Sequence, residues 1–335
     1  MALQSTQGFW PVAAAIGGNF FVMVIKFFAA VSSGSSSMLS EAVHSLADTV
    51  NQILLLIGLG RSIKKADESF EYGYGNERFF WALISACGVL FVGAGVTLYN
   101  GISALTKPHE VEFSALVFGV LLVSFVIESY TFFVAARALK KDFPRANWSE
   151  RLSRADPSTL SVYLEDAVAV LGIVVASASI TLSYYTGNAI WDAVGSVLIA
   201  ILLGAIAITL IVKNRSYLIG RAMPEELQEE VIELLRVEPA IEKVIDFKSV
   251  TVGFGVYRIK CEVEFNGSAL LREAYRDKAL RAEYEEVHGD FEAFKRFCAD
   301  YADRIPRLIG KKIDDIEAHI KKLHAGIRHI DIEIN

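Results

Sequence analysis

Six runs of apolar residues crowd into the chain before Lys213, each near the roughly 20 residues that a helix needs to cross the hydrocarbon core of a bilayer. They fall at about Phe9–Ser32, Ser37–Leu59, Phe79–Leu105, Phe113–Ala138, Ser158–Tyr185 and Ala189–Val212. In lipid every backbone amide must find its partner inside the protein, so such runs predict helices packed as a bundle. The rest of the chain is different. From Asn214 to Asn335 there are 20 Lys and Arg against 24 Asp and Glu, which reads as a water-exposed domain. The expected division is a membrane body over 1–213 and a soluble tail over 214–335.

A soluble protein can also reach 53% hydrophobic residues, so the distribution carries this argument rather than the total. A net charge of −6 leaves no basic patch for nucleic acid. Cys87, Cys261 and Cys298 are too few and too scattered for a disulfide framework or a cysteine-rich metal site, and read as small apolar fillers. Met1–Gln7 lacks the basic segment of a cleavable signal, so the first run is expected to stay as a span.

The links between runs differ in charge. Arg61, Lys64, Lys65 and Arg78 lie between the second and third; Lys140, Lys141, Arg145, Arg151 and Arg154 follow the fourth; Lys213, Arg215 and Arg221 follow the sixth. The alternate links, Ser32–Ser36 and Thr186–Asn188, carry no basic residue, and Thr106–Glu112 carries only Lys107. Basic residues favour the cytoplasmic side, which puts both termini in the cytoplasm. If the chain is bacterial, the membrane would be the inner or plasma membrane.

Titratable groups at bilayer depth cost about 2.5–3.5 kcal/mol each on insertion scales, so each demands a reason. The second run is the densest, with Glu41, His44, Asp48 and Asn51 on one narrow stripe at about 100° per residue. His44 and Asp48, at i and i+4, could grip one ion from one helix. The fifth run adds neighbouring Glu165 and Asp166, which point about 100° apart; Asp166 is expected to face the site, with Glu165 a second ligand or a proton carrier. Glu128 and Asp192, together with Glu41 and Asn51, are candidates for a proton or metal pathway. An imidazole with two or three carboxylates suits zinc, and would also take manganese, iron, cobalt or cadmium. The alternative is structural: an interhelical hydrogen-bond clamp, or a salt bridge to Lys26.

The segment Ser33-Gly-Ser-Ser-Ser-Met-Leu-Ser-Glu-Ala-Val-His-Ser-Leu-Ala-Asp48 resembles the second-helix signature of the cation diffusion facilitators, and Tyr72-Gly-Tyr-Gly-Asn-Glu77 resembles the stretch entering their third helix. Ala47–Gln52, Trp81–Ser85 and Leu164–Gly172 look like the branch that includes the animal mitochondrial zinc exporter. The resemblance spans almost the whole chain. It implies a six-helix membrane bundle, a cytoplasmic metallochaperone-like (ferredoxin-like) α+β domain, and a homodimeric secondary transporter exporting zinc or a related ion in exchange for protons. It also implies a site built from one ligand pair on the second span and one on the fifth. The first pair falls on His44 and Asp48. In the second, Asp166 matches, but Val162 stands where a histidine is usual, and Glu165 is the candidate replacement.

In the tail, Leu227–Leu235 has helical spacing, Ile245–Phe254 and Val256–Phe265 alternate as a strand pair, Ile305–His324 reads as a second long helix and Ile327–Ile334 as a last strand. A helical insertion is expected at about 270–302. His329 and Asp331 match the family's final-strand His-x-Asp and are weak cytoplasmic metal candidates, while Lys248 stands where the family often has histidine. No resident cofactor is expected; the divalent metal is substrate. Two other classes compete. A membrane metallohydrolase is disfavoured by the lack of a His-Glu-x-x-His motif, and a membrane scaffold would use the buried charges as helix glue.

Overall fold

A computed structural model describes residues 6–106, 115–142, 144, 147–155, 157–275 and 280–335, with side chains undescribed at 6–16, 142 and 158. Lys107, Arg145, the start of the fourth apolar run at Phe113 and part of the expected insertion (276–279) lie outside the described residues. The chain divides into two compact units, Met1–Ile219 and Gly220–Asn335.

The first unit is all helix: α1 (Thr6–Ser33), α2 (Ser36–Ser62), α3 (Glu77–Thr106), α4 (Ala115–Asp142), α5 (Trp148–Arg154), α6 (Pro157–Thr186) and α7 (Ile190–Ile219). Among the described residues, five helices (α2, α3, α4, α6 and α7) are long and apolar enough to cross a membrane; the part of α1 with described side chains, Gly17–Ser33, is a shorter apolar helix. The long helices turn apolar side chains outward, Phe28, Phe91 and Val126 among them, as lipid requires. Their interior is lined by small residues, among them Ala29, Ala30, Ala42, Ala47, Ala176 and Ala207, which let backbones approach closely. At Gly195 a Cβ would overlap the Ser179 hydroxyl, so α6 and α7 meet there only because the side chain is absent.

Helix ends follow local chemistry. Gly34, at φ +66°, closes α1, and Ser35 caps α2 by accepting from the Met38 amide at 3.1 Å. Asn147 caps α5, a short helix within the basic link that follows the fourth apolar run. α3 is not regular throughout. Val89–Ala94 is a π-helical segment in which the Gly95 amide reaches the carbonyl of Leu90, five residues back.

The second unit holds α8 (Glu225–Val237), β1 (Ile241–Gly253), β2 (Val256–Phe265), α9 (Gly267–Ala274), α10 (Leu280–Val287), α11 (Phe291–Leu323) and β3 (Ile327–Ile334). The sheet order is β1-β2-β3, antiparallel then parallel, with Phe247 opposite Cys261 and Cys261 opposite Ile332. Ile259, Cys261 and Val263 point to one face, where Val231 and Leu235 of α8 and Ile316 and Ile320 of α11 complete a core. Burial pushes the Cys261 thiol up to about 12, so it packs as an inert filler. Cys298 departs from that reading, because it is exposed. The expected break between an insertion ending at 302 and a helix starting at Ile305 is absent: α11 is one 33-residue helix that carries Pro306 in its interior. β1 also begins at Ile241, four residues ahead of the expected strand.

Candidate metal site in the membrane unit

α2 brings Ser45, Asp48 and Gln52 to one small cavity, and neighbouring helices add Asn19 and Val22 (α1), Glu128 (α4), and Val162, Glu165 and Asp166 (α6). The cavity offers about 10 Å³ to the centre of a water-sized sphere, close to the least that holds one water molecule. Three of the four candidate metal ligands, Asp48, Asp166 and Glu165, therefore share a wall. The fourth, His44, is not in the lining. It is 1% exposed, its Nε2 stands 3.4 Å from Asp48 Oδ2, and neither ring nitrogen has a hydrogen-bond partner.

Much of the wall is polar and unsatisfied. Ser45 Oγ, Asp48 Oδ1, Gln52 Oε1 and Asp166 Oδ2 are buried oxygens without a partner. Buried polar atoms are almost always bonded, so a group of orphans around one cavity marks a place built for something polar. Among the described residues, no three of His, Cys, Asp and Glu stand close enough together to hold one ion as the side chains lie.

Glu165, on the cavity wall, is held by two donors. Both Glu165 oxygens accept hydrogen bonds, one from Ser161 Oγ at 2.7 Å and one from Asn51 Nδ2. The Asn51 carbonyl in turn accepts from Ser85 Oγ. Asn51 thus serves Glu165 rather than the cavity. Glu41 leaves the stripe by a different route. Its Oε2 accepts from Lys26 Nζ at 3.1 Å, and both residues are fully buried. Lys26 Nζ also lies 3.8 Å from Glu128 Oε1. The expected alternative partner for His44 and Asp48 is therefore committed elsewhere: Lys26 pairs with Glu41 and Glu128.

Asp192 stands apart from the cavity. Its carboxylate accepts from Ser35 Oγ at 2.8 Å and from the amides of Ser36, at 2.6 Å, and Ser37, at 3.3 Å, and its carbonyl accepts from Ser37 Oγ. These are the orphan donors of the α2 N-terminus, where the helix dipole favours a negative charge. Asp192, expected on an ion pathway, caps α2 here. In the second unit, His329 and Asp331 do share the solvent face of β3, but Arg258 grips Asp331 with Nε at 3.1 Å and Nη2 at 2.8 Å. Burial, with Arg258, Lys321 and Arg328 nearby, lowers the His329 pKa. That face is paired and cationic around the imidazole, which is poor ground for a metal.

Ser45, Gln52 and Asn19 line the cavity without having been candidates, and the signal for them is a polar side chain inside an apolar run.

A polytopic helical membrane protein with acidic groups converging on an interior cavity belongs to the class that handles ions. Residues 12–219 match the family described as the cation efflux transmembrane domain. The chain is 36% identical over 334 residues to a metal tolerance protein of Arabidopsis thaliana, covering 96% of this chain and 72% of that one. It is 34% identical over 330 residues to the mitochondrial proton-coupled zinc antiporter of Homo sapiens, covering 96% of this chain and 58% of the human protein. A cation-efflux pump of Shewanella oneidensis matches at 26% over 280 residues, 82% of this chain and 89% of the pump. This chain belongs to the cation efflux family. It is a membrane transporter and not an enzyme.

Proposed function

We propose that the chain is a secondary active transporter that exports a divalent metal ion, zinc first, from the cytoplasm in exchange for protons. The supporting observation is the cavity itself, where Asp48, Glu128, Glu165 and Asp166 meet inside the membrane unit with His44 3.4 Å from Asp48. So many acidic groups in a low-dielectric layer need either a cation or protons to neutralise them. Metal binding requires deprotonated carboxylates and neutral imidazole, so loading the ion releases protons, and reprotonation from the other side expels it. His44, Asp48 and Asp166 carry the ion in this reading, and side-chain rotation gathers them around it. α1 supplies a sixth span, both termini are cytoplasmic, and the second unit serves a homodimer. The zinc named for the human relative supports the choice of ion; manganese, iron and cadmium are the alternatives of the same fold.

The test is metal flux into proteoliposomes under an imposed pH gradient. Asp48→Asn and Asp166→Asn are each expected to abolish pH-driven zinc uptake. Uptake at the wild-type rate in both would end the proposal, and faster manganese, iron or cadmium uptake in the wild type would reassign the ion.

The scaffold reading gains one specific support, the Lys26–Glu41 pair, which ties α1 to α2 as helix glue would. It explains those two residues and leaves the unsatisfied oxygens around the cavity without a purpose.

A further inference from the structure

We infer that Glu128 of α4, rather than Glu165, is the carboxylate that joins Asp48 and Asp166 on the bound divalent ion. This deepens the transport reading and rests on it.

Four observations carry the choice. First, Glu128 and Glu165 both reach the cavity wall, but their engagements differ. Glu165 has each oxygen occupied, by Ser161 and by Asn51, and Asn51 is itself fixed by Ser85. Turning Glu165 onto an ion would strand two buried donors, which is the costly way to lose a hydrogen bond. Second, Glu128 is held loosely. Its Oε1 lies 3.8 Å from Lys26 Nζ, beyond hydrogen-bond reach, while Lys26 keeps a closer partner in Glu41 at 3.1 Å. Glu128 can therefore leave Lys26 without leaving that ammonium alone. Third, the wall already contains Ser45 Oγ, on a residue 4% exposed and without a partner. This buried hydroxyl and the orphan oxygens of Asp48 and Asp166 lie around the same small space. Fourth, Val162 occupies a further stretch of wall with an apolar side chain, so α6 offers no alternative donor at that point.

An ion at this place would draw ligands from three helices: Asp48, with His44 beside it, from α2, Glu128 from α4 and Asp166 from α6. Lys26 then acts as a resident cation that holds Glu128 when the ion is absent. A set weighted toward carboxylate oxygen should accept manganese as well as zinc, more readily than an imidazole-rich set would.

The experiment is zinc and manganese titration of the full chain in detergent by calorimetry, with monodispersity checked by size exclusion. Wild-type chain is expected to bind zinc, Glu128→Gln to bind it at least tenfold more weakly, and Glu165→Gln to stay within about threefold. Glu128→His keeps a ligand but cannot pair with Lys26; it should retain zinc and lose manganese at least tenfold, a result that a purely structural Glu128 would not give. Because these variants can fail to fold, the anomalous difference map of zinc-soaked wild-type crystals gives an independent reading. A peak at roughly 2.0–2.2 Å from a Glu128 oxygen is expected. A peak on Glu165 instead, or Glu128→Gln binding as the wild type does, would overturn this inference and leave the transport reading intact. Absence of zinc and manganese binding in the wild type would overturn both.

Discussion

Lys26–Glu41 in the membrane unit and Lys260–Glu333 on the sheet of the second unit are the same chemical pair at similar separations, 3.1 and 2.8 Å. Their surroundings are opposite. The first pair is 0% exposed on both sides, and the second is 46% and 48% exposed. Water can replace either partner of the exposed pair, so such pairs contribute about 0–1 kcal/mol. Nothing replaces the partner of a buried charge, and removing one side strands the other. Ion pairs on the sheet are therefore interchangeable, whereas those in the bundle have fixed assignments that constrain neighbouring residues.

Breaking the buried pair should have the largest effect. Glu41→Gln leaves Lys26 with only Glu128 at 3.8 Å and is expected to cost about 3–5 kcal/mol, read as a lower thermal midpoint in detergent. Lys26→Met combined with Glu41→Leu should recover most of that loss; if the double variant is as unstable as the single one, packing rather than charge sets the cost. Next in size is Asn51→Ala, which removes one donor from Glu165 and strands Ser85. About 1–3 kcal/mol of destabilisation is expected, and a midpoint equal to wild type would show that Glu165 is not held as described. On the sheet, Asp331→Asn weakens the Arg258 contact and should change the stability of the chain by about 0.2–1 kcal/mol, measured by denaturant unfolding. A larger loss there would erase the contrast between the two units. The smallest effect concerns the exposed loop after α2. Hydrogen bonds from Lys64 and Tyr74 hold the Asp67 carboxyl below the usual carboxylate range. A depressed acid stabilises its loop above its unfolded pKa of about 3.9 and loses that contribution as pH falls through the lower folded value. Tyr74 ring resonances should therefore stay fixed on acidification to about pH 4 and shift only below it.

Five span positions and most of the tail were legible because periodicity and run length are local properties. The α2 stripe was legible too, as a face. Which partner each member of that face would take was not. Glu41, His44, Asp48 and Asn51 share one side of a helix, yet Glu41 turns to Lys26 from α1 and Asn51 to Glu165 from α6. Those choices depend on how neighbouring helices are rotated, and a single helix's spacing does not encode that. Asp192 shows the same limit. As an acid near a helix start it resembles a pathway residue, and only the proximity of the Ser35–Ser37 turn makes it a cap. The expected helix start at Ile305 fails for another reason: Pro306, a residue type that ordinarily opens helices, sits inside one helix from Phe291 to Leu323. The π segment of α3 leaves the apolar pattern unchanged in kind, so nothing in hydropathy announces it.

The clasp between Asp192 and the start of α2 has a mechanical consequence. With its amide end pinned to α7, α2 behaves as a lever fixed at one end. Sliding it lengthwise would tear several short contacts at once, while tilting or rolling it about the pin spares them. Asp48 lies twelve residues along that lever, about 18 Å from the pin at 1.5 Å per residue. A tilt of about 5° there carries the carboxylate roughly 1.5 Å, by the same helix rise, enough to change which oxygens it can share without any change in the anchorage.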